Sequence, residues 1–234
     1  MTAASGASLA VVEVVVLPSA GLLLPEYVGL TDPGAPIGDR CTDAVRAALS
    51  ANPDHVVLLA GHDRAPRHTR GSLGARIGRR ALYFGGWSGR TTEVIVPFDA
   101  SAAEVSAAVA QVGAVVGRVV LVVVGDGCAK RSEKAPGHFD ERSLALDGVI
   151  GDALADADPA ALATLDPVLC QELWATGRAA LQVLGGICAG AQCRPRTYWF
   201  GEPYGVAYFV ARWSVGAVAD PGSPRERPAG TPSA

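Results

Sequence analysis

The chain of 234 residues is 49% hydrophobic and 18% charged, so it can bury a sizeable core and does not have the composition of a disordered protein. Its formal net charge of -3 leaves it without the basic excess expected of a nucleic-acid or membrane-surface protein. The length fits one large α/β domain or two small ones; a single domain is expected at 1–218, followed by a Pro/Gly/Ser-rich tail at 219–234 that reads as disordered.

In chain order, "LAVVEVVVL" (9–17) is a short β-branched run that reads as a buried strand. Glu13 interrupts it and it is too short to span a bilayer. The preceding "MTAASGAS" lacks the positive start of a signal peptide, so a cytoplasmic protein is expected. "TDAVRAALSAN" (42–52) predicts a helix with Thr42 as its N-cap. "HVVLLAG" (55–61) predicts a second buried strand. The segment 61–91 carries seven Arg and seven Gly and reads as a long irregular excursion.

"TEVIVPF" (92–98) predicts another strand. "SAAEVSAAVAQVG" (101–113) opens with Ser101, has Glu104 three residues on and ends on Gly113, which predicts a helix with a capping box and a terminal glycine. "RVVLVVVG" (118–125) is the fourth buried strand. "FDERSLALDGVIGDALADA" (139–157) has helical spacing. Asp158-Pro159 and Asp166-Pro167 each read as an N-cap followed by Pro at the first helical position, and Gly177 as a break in the second helix. "RTYWFG" and "YGVAYFVARWSV" predict a closing β-hairpin around Glu202-Pro203. This alternation predicts a three-layer α/β sandwich, its central sheet mostly parallel or mixed, flanked by helices and completed by the C-terminal hairpin.

The chemistry should sit at the C-terminal ends of the strands, where open α/β sheets bind ligands. There "GDGCAKRSEKAPGHFD" (125–140) supplies a Gly-x-Gly. It has Lys130 where a third glycine would stand and no immediate helix, so it is a poor dinucleotide motif. His62 directly follows a strand and could ligate a metal or act as a base; it could equally be a surface His paired with Asp63. Glu172 lies on a helix with apolar neighbours; a carboxylate there is usually on a solvated face, and one turned inward must be paired or bound to a cation. The five cysteines are scattered and odd in number, which argues against a disulfide framework, and the spacing of Cys188 and Cys193 is not a zinc-ligand spacing.

Five stretches taken in order, "LPSAGLLLPEYVG", "VVLLAGHD", "VVVGDGCAKRSEKAPGHFDERS", "ELWATGRAALQVLGG" and "YGVAYFVARW", resemble the class III extradiol ring-cleavage dioxygenases, the group of the protocatechuate 4,5-dioxygenase β subunit. The likeness runs over roughly residues 9–213. It implies a non-haem Fe(II), or another divalent metal, held by two His and one Glu, with a small aromatic as substrate and a homo-oligomeric protein. Carried over by residue, His62 is the second metal His and Glu172 the Glu, with Asp63 or water completing the set. Ser19 stands where the first metal His would be, and Lys130 where the acid/base His would be. Lys130, with His138 eight residues on, is then the catalytic candidate, and Ser19, Asp63 and Asp126 line the cleft. Two functions follow as expectations: a metal-dependent extradiol dioxygenase-like oxidoreductase, or a silent pseudoenzyme without metal that binds a ligand or serves as a scaffold. A site in which Lys130 and Arg131 hold an anionic ligand is a third.

Overall fold

The computed structural model describes residues 10–62 and 71–216. Asp63 and the tail 219–234 lie outside the described residues. Six strands form one mixed sheet in the order β3-β2-β4-β1-β6-β5. They are β1 (Val11–Leu17), β2 (His55–Gly61), β3 (Arg90–Val96), β4 (Val119–Val124), β5 (Gln192–Gly201) and β6 (Tyr208–Gly216). The first four are parallel to one another, whereas β6 runs antiparallel to β1 and β5 antiparallel to β6.

The near-continuous Val/Leu runs are explained by cover on both faces. Val15, Leu17, Val56, Leu58, Val120 and Val122 pack under α1 (Ala35–Leu49) and α2 (Leu73–Gly85). Their neighbours Val14, Val16, Val57, Leu59, Leu121 and Val123 pack on the other side, against α3 (Ala102–Gly113), α4 (Arg142–Asp156), α5 (Pro159–Ala163), α6 (Pro167–Glu172) and α7 (Arg178–Ile187). The expected three-layer sandwich with a C-terminal hairpin is therefore what the chain forms. Glu13 is the one charge within β1, and it pairs with Arg212 of β6 at 2.9 Å. The edge strand β5 carries Arg194, Pro195 and Arg196, residues that discourage further strand pairing.

Two local expectations need correction. The segment 61–91 is not a long excursion: after residues 63–70, which are not described, it is mostly α2. Ser72 caps that helix by accepting from the Ala75 N–H and donating to the Gly61 carbonyl at 2.7 Å, and Gly86 ends it in the left-handed conformation, φ 89°. Its glycines mark close packing. A Cβ at Gly78 would stand 2.2 Å from the Leu58 side chain, and one at Gly74 would stand 3.0 Å from Ala60. In α1, Thr42 lies mid-helix. The helix starts seven residues earlier at Ala35, because Pro36 in the first turn has no N–H to lose there.

The capping box of α3 forms as read, Ser101 and Glu104 bonding each other's backbone N–H groups. Asp158 and Asp166 cap α5 and α6, each ahead of a proline; the expected break comes earlier than Gly177, since α6 ends at Glu172 and Trp174 takes φ 57°, and Gly177 is the N-cap of α7. Among the described residues, no helix is long and apolar enough to cross a membrane.

Candidate functional site

After β1 the chain turns to α1 on one face of the sheet; after β4, its neighbour, it turns to α4 on the other. The two exits diverge at the strand ends, the topological position where such sheets take ligands. Ser19 stands on one side and Asp126 on the other. The Ser19 N–H donates to Asp126 Oδ1 at 2.5 Å. The Ser19 hydroxyl reaches the head of α2, 3.5 Å from where a Cβ at Gly74 would be.

Asp126 is 8% exposed. Burial pushes its carboxyl up to about 7; the Ser19 N–H opposes that rise and the charge of Asp147 adds to it. Tyr208 is buried, and its phenol is held above its ordinary range first by burial and then by the field of Asp126. The Cys41 thiol is pushed up to about 12, mainly by burial, with Asp126 contributing. Cys41 also forms part of the wall of a cleft of about 340 Å³ between α1, α2 and the turn at Leu22 and Leu23, with Asp39 and Arg80 also lining it.

Beside Asp126 the packing is backbone on backbone. Gly177 N–H donates to the Asp126 carbonyl at 3.0 Å, and a Cβ at Gly125 would stand 2.7 Å from the Gly177 Cα. Arg178, 3% exposed, locks this contact in place. Its guanidinium donates to the Phe98 and Ala100 carbonyls and to Gln182 Oε1, tying the start of α7 to the β3–α3 connection.

A second buried polar group escaped the sequence reading. Asp147 of α4 accepts from the Cys128 N–H and from Arg131 Nη1, each at 2.8 Å, and Arg131 also pairs with Glu202 in the hairpin turn. The Arg131 guanidinium stands over the Phe200 ring, 5.2 Å from its centre. This network staples the loop after β4 to the hairpin. A lone Asp on the apolar face of a helix was the only signal for it. Arg131, one of the two cations proposed for an anionic ligand, is already engaged by two carboxylates.

The other sequence candidates are placed as follows. His62 is exposed at the end of β2, its N–H on the Val96 carbonyl at 2.7 Å. Glu172 ends α6 with its side chain half exposed, and its carboxylate is held by Arg142 Nη1 at 2.8 Å; Arg142 is also bound by Asp140. Lys130 Nζ lies over the Trp174 ring, 5.7 Å from its centre. Lys130 and Glu172 thus share the neighbourhood of Asp140, Arg142 and Trp174. His138 is exposed, has φ 59° and closes a turn onto the Ala135 carbonyl; the residue flanking α4 is Glu141.

The structure therefore joins Ser19 to Asp126, but among the described residues no hydrogen bond or ion pair joins His62 to Glu172. Nor do the described residues contain a group of three or more His, Cys, Asp or Glu that could hold a metal ion. With Ser19 in the first position and Glu172 committed to Arg142, these residues do not fit a facial centre of two His and one carboxylate. Compared with known proteins, the chain matches no family model and no curated protein.

Proposed function

We propose that this is an extradiol dioxygenase-like protein that binds a small hydroxylated aromatic in the crevice between β1 and β4, with Asp126 as the group that meets it and without the iron chemistry of the family it resembles. One observation carries this reading: a buried carboxyl at the diverging strand ends, fixed by the Ser19 N–H, whose protonation changes near neutrality. Below about 7 Asp126 donates a hydrogen bond; above it, the carboxylate accepts one from a phenolic hydroxyl or takes its proton. The apolar surroundings favour an aromatic body, and few polar groups are needed to orient it.

The test is titration of the purified protein with catechol, followed by calorimetry, with and without added Fe(II), together with oxygen uptake. Binding without iron, weakened tenfold or more in Asp126→Asn, and no oxygen consumption are expected. The competing reading, a metal-dependent dioxygenase using His62 and Glu172, has one supporting feature: Glu172 is half exposed and needs only to leave Arg142 to meet a cation. Stoichiometric Fe(II) uptake with oxygen consumption, both lost in Glu172→Ala, would establish that reading and overturn ours.

A further inference from the structure

Far along α7 from the crevice, the helix ends on Cys188 as its C-cap, and the chain turns back into β5 at Cys193 after four residues. The turn is tight. The Ala191 N–H donates to the Cys188 carbonyl at 3.0 Å, and Gly190 takes the left-handed conformation, φ 75°, that lets the chain reverse. The reversal brings the two side chains onto the same core cluster, Cys188 within it and Cys193 packed against it, close enough for each thiol to shift the other's pKa. Their accessibility differs. Cys188 is fully buried, whereas Cys193 is the one cysteine of the five that is only partly buried.

We propose that Cys188 and Cys193 form an oxidisable dithiol, in which Cys193 is the attacking sulfur and Cys188 the resolving one, with hydrogen peroxide or another small hydroperoxide as oxidant. The chemistry balances in two steps. The Cys193 thiolate attacks one peroxide oxygen, the O–O bond breaks, and Cys193 becomes a sulfenic acid as hydroxide leaves and is protonated to water. The Cys188 sulfur then attacks the sulfenic sulfur, the S–O bond breaks, a second water leaves with the Cys188 proton, and the disulfide forms. Two thiols are oxidised and one peroxide is reduced to two waters.

The assignment of roles follows from environment. Contact with Cys188 stabilises the Cys193 thiolate and holds its pKa below the ordinary thiol range, whereas the pKa of Cys188 is raised by the same contact and by burial. The remaining thiols, Cys41, Cys128 and Cys170, are buried and raised, chiefly by desolvation, so they are poor nucleophiles. The bond would fasten the C-terminal end of α7 to the edge strand β5.

Peptide mapping tests the proposal directly. Trypsin does not cut between Arg194 and Pro195, so both cysteines fall in one peptide, 179–196. Native protein is treated with a modest excess of hydrogen peroxide, denatured with iodoacetamide present and digested. The expected product is peptide 179–196 two hydrogens lighter and unalkylated, while Cys41, Cys128 and Cys170 are alkylated; dithiothreitol restores both alkylations. In Cys188→Ser the oxidation should stop at Cys193 as a sulfenic acid that dimedone traps, and in Cys193→Ser Cys188 should stay alkylatable. Peptide 179–196 fully alkylated after peroxide, faster oxidation of Cys41, Cys128 or Cys170, or dimedone labelling of Cys188 in Cys193→Ser would each overturn the proposal.

Discussion

The backbone N–H of Ser19 and the side chain of Asp126, 107 residues apart in the chain, meet at 2.5 Å across the ends of two neighbouring parallel strands. This bond fixes the carboxyl while leaving it nearly water-free, and burial outweighs the hydrogen bond in setting its acidity.

A pH dependence follows, with its sign. The carboxyl's ordinary value is 3.8 and its folded value is about 7. Between those values the folded chain holds a proton that the unfolded chain has released, so this group lowers stability as pH rises through the window and adds no further slope above it. At 1.36 kcal/mol per unit, its effect is about 4 kcal/mol at most. Urea denaturation of wild type and Asp126→Asn should show similar midpoints near pH 4 and a more stable variant at pH 8. Equal pH slopes in the two proteins would contradict this.

Arg131 is expected to matter for folding more than for binding. Arg131→Met leaves Asp147 buried without its cation and should cost about 3 kcal/mol in chemical denaturation. Adding Asp147→Asn should restore most of the loss, because the amide oxygen still accepts from the Cys128 N–H. A double-mutant cycle with no coupling would show that the network contributes nothing beyond its parts.

Two glycines should respond in opposite directions to the same substitution. Gly177→Ala places a methyl 2.5 Å from the Asp126 carbonyl oxygen, a backbone atom that cannot step aside, and should cost about 2 kcal/mol while distorting the crevice. Gly148→Ala lies within α4, with nothing within 4 Å of the new methyl, and should gain about 0.5–1 kcal/mol from the stiffer helix. Thermal melts of both variants measure this.

Glu172→Gln separates the two readings of the site. The carboxylate is half exposed and Arg142 keeps Asp140, so the urea midpoint should be unchanged. Catechol binding should also be unchanged if Asp126 meets the ligand. Loss of binding together with loss of Fe(II) uptake would give Glu172 the metal role instead.

The strands were legible because four runs of β-branched residues leave little choice of conformation, and Asp158, Asp166 and Ser101 announced their helices through cap chemistry. α2 was hidden because Gly74 and Gly78, which depress helix propensity, are there to admit Leu58 and Ala60. The start of α1 was hidden because no side chain caps it. At the site, position after a strand placed Ser19 and Asp126 together at the C-terminal ends of β1 and β4, where the structure joins them. What the sequence could not show was direction: that Asp126 turns onto the Ser19 backbone, that Glu172 turns onto Arg142, and that Asp147 turns inward. These depend on partners 107, 30 and 19 residues away.

The Glu13–Arg212 pair also imposes an order in time. β1, synthesised before the other described strands, occupies an interior position in the sheet, and one of its two edges is closed only by β6, 199 residues later at this pair. Until then β1 presents an open, apolar edge to its surroundings. Completing the sheet must wait until β6 has been made, which makes folding during synthesis late, dominated by distant contacts, and dependent on keeping that edge from pairing elsewhere.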